Sequence, residues 1–173
     1  MIKENVEKQL NNQIKNEEHS SRIYLAMASW CEVNGFNGAA GFLYAQAEEE
    51  KGHMSKMIHY LNDRGGHARM QALDKPEEEF ENLTKLFEKV LAHEEFITSE
   101  INKCYEVALN AKDYNTAQFL QWYIEEQVEE ESTMNTILDK MRLAGDSKGS
   151  FFHIDKELEN MAAARPESSG AGE

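Results

Sequence analysis

The chain has 173 residues, 40% of them hydrophobic, and a formal net charge of −14 at pH 7. That length suits one compact domain with a substantial core, and the acidic balance argues against nucleic acid or an anionic membrane as a partner, because each is held by a basic face. No run approaches a membrane span and the N-terminal stretch MIKENVEKQL lacks the apolar segment of a secretory signal, so the cytoplasm is the expected compartment.

Residues 4–33 contain neither Pro nor Gly, and Val6, Leu10, Ile14, Tyr24, Met27, Ala28 and Cys31 recur at the spacing of one long helix. Glu17 falls on that apolar stripe, midway between Leu10 and Tyr24. The segment NGFNG at 34–38 supplies a short turn and a candidate N-cap, so a second helix over 37–64 is expected to return antiparallel to the first. Its inward stripe runs Leu43, Gln46, Glu50, His53, Met57 and Tyr60, with Ala47, Met54 and Leu61 beside it. Glu50 and His53 stand one turn apart and offer a carboxylate and an imidazole to the same point, the Glu-x-x-His arrangement with which a helix holds a metal.

Residues 66–81 carry Pro76 and the run Glu77-Glu78-Glu79 and show no period. A connection of that length is expected to travel the length of a four-helix bundle and leave the second and third helices parallel. The third helix, 82–111, buries Leu83, Phe87, Val90, Ile97, Ile101 and Cys104, with Glu94 at the heptad step between Phe87 and Ile101. After a short turn the fourth, 115–143, shows the stripe Leu120, Tyr123, Gln127, Glu130, Met134, Ile137 and Met141, flanked by Glu126 and Glu129. A short fifth helix is expected over 151–161. The domain should then close near residue 162 and leave a flexible tail over 163–173. Cys31 and Cys104, few and far apart, read as reduced core residues.

Each of the four long helices therefore puts polar groups at mid-length on its core stripe: Glu17, Glu50 with His53, Glu94, and Gln127 with Glu130. Packed as a bundle, these groups converge. One buried carboxylate without a partner costs several kcal/mol, and four would exceed the ~5–15 kcal/mol by which a domain is stable. The inward stripes supply no Lys or Arg, which leaves protonated carboxyl pairs or bound cations as the means of neutralisation. Two divalent cations would balance Glu17, Glu50, Glu94 and Glu130, and oxygen-rich ligation with one imidazole suits iron or manganese.

In residue types, spacing and helix order, this constellation resembles a bacterial non-haem ferritin over nearly the whole chain. The resemblance implies an all-α, ferritin-like four-helix bundle with a long crossover between the second and third helices and a short fifth helix. It implies that Glu17, Glu50 and His53 hold one iron and that Glu50, Glu94 and Glu130 hold a second, with Glu50 bridging and Gln127 beside the second iron. Tyr24 matches the tyrosine next to the di-iron centre of such ferritins, and Glu49, Glu126 and Glu129, together with Glu130, match a third iron site. Lys51 stands where the related bacterioferritins carry the methionine that ligates haem, and Gln127 and Glu130 stand where those proteins repeat Glu-x-x-His, so no haem is expected. His19, His59, His67, His93 and His153 have no paired ligand at metal spacing and read as structural or exposed, and Trp122 reads as packing.

The implied activity is that of a ferroxidase. Fe(II) is oxidised at the paired sites by O2 or H2O2 and stored as a ferric mineral inside a homo-oligomeric shell of twenty-four subunits. Two alternatives are a rubrerythrin-like di-iron peroxidase, which would want a Cys-x-x-Cys domain absent here, and a bundle that binds metal without turnover. Animal ferritins line their three-fold channels with carboxylates near the start of the fourth helix. Residues 115–121, NTAQFLQ, contain none. Iron is therefore expected to reach the centre mainly between subunits, toward Glu49, Glu126 and Glu129, with a Lys placed at Ala117 having little effect.

Overall fold

The computed structural model describes residues 1–145 and 147–164. Its helices are α1 (Glu4–Val33), α2 (Asn37–Asp63), α3 (Leu83–Asn110), α4 (Tyr114–Ala144) and α5 (Lys148–Ala164). The four long helices match the expected spans to within a residue or so. The fifth is longer than the 151–161 expected, because Ile154 and Leu158 are buried against the bundle and Phe151, Met161 and Ala162 pack beside them. Ala163 and Ala164, expected in the tail, are helical, and the rest of that tail lies outside the described residues. No helix among the described residues is long and apolar enough to cross a membrane.

The core comes in two apolar halves, and the halves give the topology. One contains Val6, Leu10 and Ile14 of α1, Met57 and Leu61 of α2, Ile97, Ile101 and Cys104 of α3, and Leu120 and Tyr123 of α4. The other contains Tyr24, Met27 and Cys31 of α1, Phe42 and Leu43 of α2, Phe87 and Val90 of α3, and Met134 and Ile137 of α4. Each of the four long helices passes once from half to half. α1 and α4 run one way and α2 and α3 the other, so the 64–82 connection spans the bundle as expected. It is pinned along α1: the backbone N–H of Arg69 donates to Asn11 Oδ1 at 2.6 Å, Gln71 Nε2 donates to the Asn11 carbonyl at 2.9 Å, and Phe80 docks into the second half.

The turn between α1 and α2 closes with Gly35 at φ +83°, a conformation that glycine adopts without a Cβ clash, and the Phe36 N–H returns to the Cys31 carbonyl at 2.8 Å. The N-cap of α2 is not supplied by this turn. Phe36 occupies the cap position without a side-chain bond, and Asp155 of α5 accepts instead from the Ala39 N–H at 2.8 Å. A Cβ on Gly38 would lie 1.8 Å from the Asp155 carbonyl oxygen, so glycine there is what lets α5 approach. The other two long helices have local caps: Asn82 accepts from the Lys85 N–H at 2.8 Å, and Asp113 accepts from the Thr116 N–H at 3.2 Å while binding Arg64 at 3.0 Å.

Candidate metal centre

Between the apolar halves lies a polar waist. Glu17, Glu50, His53, Glu94, Gln127 and Glu130 are all buried there, and among the described residues no Lys or Arg is buried at all. Glu17, Glu50 and His53 bring one ligand atom each to within 4.8 Å of one another. His53 Nδ1 lies 3.5 Å from Glu50 Oε2 and 3.9 Å from Glu17 Oε2. Two ligands each ~2.1 Å from one ion stand at most about 4.2 Å apart, so both His53 distances fit a single metal. Gln13 Nε2 donates to Glu17 Oε1 at 2.8 Å, fixing the carboxylate plane, while Glu17 Oε2 meets no hydrogen-bond donor. Burial, and then the charge of Glu50, push the Glu17 carboxyl well above its ordinary pKa. A dication among these ligands would favour the ionised form of the carboxyls that burial opposes.

Glu94 and Glu130 face the same waist but are held by other partners. Tyr24 donates its hydroxyl to Glu94 Oε1, and Gln127 Nε2 donates to Glu94 Oε2 at 3.0 Å and to Thr98 Oγ1 at 3.3 Å. Gln46 Nε2 donates to Glu130 Oε2 at 2.9 Å. Neither carboxylate joins a group of three ligands within 4.8 Å of one another among the described residues. Burial raises the Glu94 carboxyl to about 7, even with the opposing hydrogen bond from Gln127.

A second group lies beside the first. Glu49, His53 and Glu126 also bring their ligand atoms within 4.8 Å, so His53 belongs to both groups, and the two carboxylates here are half-buried. Burial raises the Glu126 pKa first, and Glu129 and Glu49 then raise it further. Glu129 itself is exposed and stands outside the group. Lys51 is exposed and pairs with Glu48.

Comparison with known proteins decides the family. The family model described as Ferritin-like domain matches residues 7–144. A bacterial non-heme ferritin of Campylobacter jejuni is 42% identical over 165 residues, covering 95% of this chain and 99% of that one. The chain belongs to the ferritin family. A bacterial non-heme ferritin of Escherichia coli is 40% identical over 161 residues, covering 93% and 98% of the two chains. Among solved structures, an open-pore ferritin from the hyperthermophilic archaeon Archaeoglobus fulgidus superposes with a TM-score of 0.90 at 38% identity, covering 92% of this chain and 98% of that one.

Three residues that orient the centre of this ferritin have no role that residue order alone assigns. Gln13 is legible in principle, since it stands four residues before Glu17 and so on the same helical face. Gln46 is visible on the inward stripe of α2, but its partner Glu130 lies across the bundle on α4. Tyr123 donates its hydroxyl to the His53 backbone carbonyl at 2.8 Å, a bond to main chain that no spacing announces. Of the other histidines, His93 is half-buried and packs edge-on against Tyr24 with ring centroids 5.9 Å apart, and desolvation lowers its pKa to about 4.

Proposed function

We propose that this ferritin stores iron and is a ferroxidase, oxidising Fe(II) at the waist of its bundle and passing Fe(III) to a mineral core inside a shell of 24 subunits. The observation that carries the reading is the buried, carboxylate-rich group Glu17, Glu50 and His53, with no Lys or Arg buried among the described residues. The first ferrous ion takes these three ligands. The second takes Glu50, Glu94 and Glu130, whose carboxylates have lone pairs to spare beside the bonds that Gln127 donates to Glu94 and Gln46 donates to Glu130. Because the pKa values of Glu17 and Glu94 are raised, metal uptake expels protons from these carboxyls and weakens as the pH falls. Anionic oxygen ligands favour the ferric over the ferrous charge, so oxidation by O2 or H2O2 is helped by the same groups that bind. Tyr24, hydrogen-bonded to Glu94, is placed to steer a proton or an electron at the second position.

Glu49 and Glu126, with Glu129 at the rim, form the approach to the centre from between subunits. Ala117, where a lysine was expected to have little effect, is buried in the first of the two core halves, so the exposed neighbour Gln118 is the position for a charge test of the three-fold channel. The function and the route are tested together by adding ferrous salt to the purified shell and following oxygen consumption alongside iron retained in the particle. The expected result is oxygen uptake with iron retained, an initial rate changed less than about twofold in Gln118→Lys, and a clear loss of uptake or turnover when Glu49, Glu126 and Glu129 are replaced by Gln. Oxygen uptake without retained iron would favour a di-iron oxidase or peroxidase. Binding without oxygen uptake would leave only a metal-binding bundle.

A further inference from the structure

The outer group Glu49, His53 and Glu126 has a lysine at its edge that the oxidation chemistry does not use. Trp122 meets the His53 ring edge-on, with centroids 5.3 Å apart and an interplanar angle of 86°. On the same indole rests the ammonium of Lys56, 3.1 Å from the ring centroid. Helical spacing builds the arrangement from both sides, since Lys56 is one turn beyond His53 on α2 and Glu126 one turn beyond Trp122 on α4. Burial lowers the Lys56 pKa, and the charge of Glu126 opposes that shift. The nearby Lys51 turns instead to Glu48 on the exposed side.

We propose that Lys56 is a tethered counter-charge that weakens the hold of Glu49, His53 and Glu126 on a divalent cation, so that iron passes through this group instead of lodging in it. The proposal rests on the reading of that group as a metal site. While the group is empty, the ammonium offsets part of the carboxylate charge and keeps its place through the electrostatic attraction of the indole face. When a dication arrives, the ammonium on the indole that borders His53 becomes a like charge beside it. A flexible four-carbon stem lets it withdraw, and the lost attraction reduces the net gain of binding. The inner group, Glu17, Glu50 and His53, lies deeper in the bundle, so the charge biases occupancy inward.

The test is calorimetric titration of Zn2+, which does not change oxidation state, into the intact metal-free assembly of the full chain. Glu126→Gln identifies the heat that belongs to the outer group. Lys56→Gln is expected to tighten that class of site about tenfold, the effect of removing one charge near a half-exposed dication. Lys56→Arg, which keeps the charge, should bind as the parent does. In a Glu126→Gln background the Lys56→Gln change should have no effect. A spectroscopic check uses Trp30→Phe, which leaves Trp122 as the single tryptophan of the chain: the midpoint of Co2+ quenching should move in the same direction with Lys56→Gln. If Glu126→Gln removes no class of Zn2+ site, the outer group is not a metal site and both readings fall. If it does, but Lys56→Gln binds as the parent, or Gln and Arg shift the affinity equally, the counter-charge proposal alone is overturned.

Discussion

Replacing His53 by Ala is expected to leave an assembled ferritin shell whose initial rate of ferrous oxidation falls by about a hundredfold or more. Loss of a mere orienting partner typically costs a metal site 10–100-fold, roughly, and His53 offers a ring nitrogen to both of the groups that could hold a metal. The fold should survive. Tyr123 bonds the His53 backbone carbonyl, which alanine retains, and the imidazole meets the Trp122 and Tyr123 rings edge-on, an arrangement whose removal costs on the order of 1 kcal/mol per ring pair. Stopped-flow absorbance of ferric product reads the rate, and size-exclusion chromatography with circular dichroism reads assembly and fold. A parent-like rate would remove His53 from the site.

The second large effect is a pH-dependent loss of stability in the metal-free protein. The Glu94 carboxyl is raised by burial from 4.5 to about 7, and Glu17 is raised well above its ordinary value by burial and by Glu50. In the unfolded chain both titrate at the ordinary value. Between these pKa values the folded protein therefore holds more protons than the unfolded chain, and its stability declines as the pH rises from about 4.5 to about 7. For Glu94 alone the decline is about 3 kcal/mol, which corresponds to a melting temperature lower by roughly 5–10 °C for a chain of this size. Calorimetric melting of the metal-free protein at about pH 5 and about pH 7.5 should show the drop, and Glu94→Gln should remove most of the Glu94 share. A redox-inert divalent ion added at the higher pH should recover the loss, because it binds the folded state and takes the place of the protons. A parent protein equally stable at both pH values, or a variant with an unchanged slope, would mean that these carboxyls are neutralised in some other way.

Much of this was readable from residue order because a polar group on a helical core stripe conflicts with the pattern around it. Glu17 between Leu10 and Tyr24, and Glu94 between Phe87 and Ile101, announce both their burial and their depth, and the long Pro-containing connection announces the crossover. Contacts between distant segments were not readable in the same way. Asp155 caps α2 from 116 residues away in the sequence, and Gly38 is explained only by the α5 backbone that passes against it. Gln46 and Glu130 meet across the bundle through side-chain rotamers that no periodicity fixes. The outer group differed for a related reason. Glu49 and Glu126 are expected together with Glu129 and Glu130, whereas the structure leaves Glu129 exposed and brings His53 to the pair.

The most direct measurement of the central claim is the amplitude of the fast phase of ferrous oxidation as iron is added to metal-free shells. If the waist is a centre for paired irons, that amplitude rises with iron and saturates at about two ferrous ions per chain, and it disappears in Glu17→Gln together with His53→Ala. A fast phase that never saturates, or that persists in the doubly substituted protein, would place the oxidation outside the bundle and contradict the account.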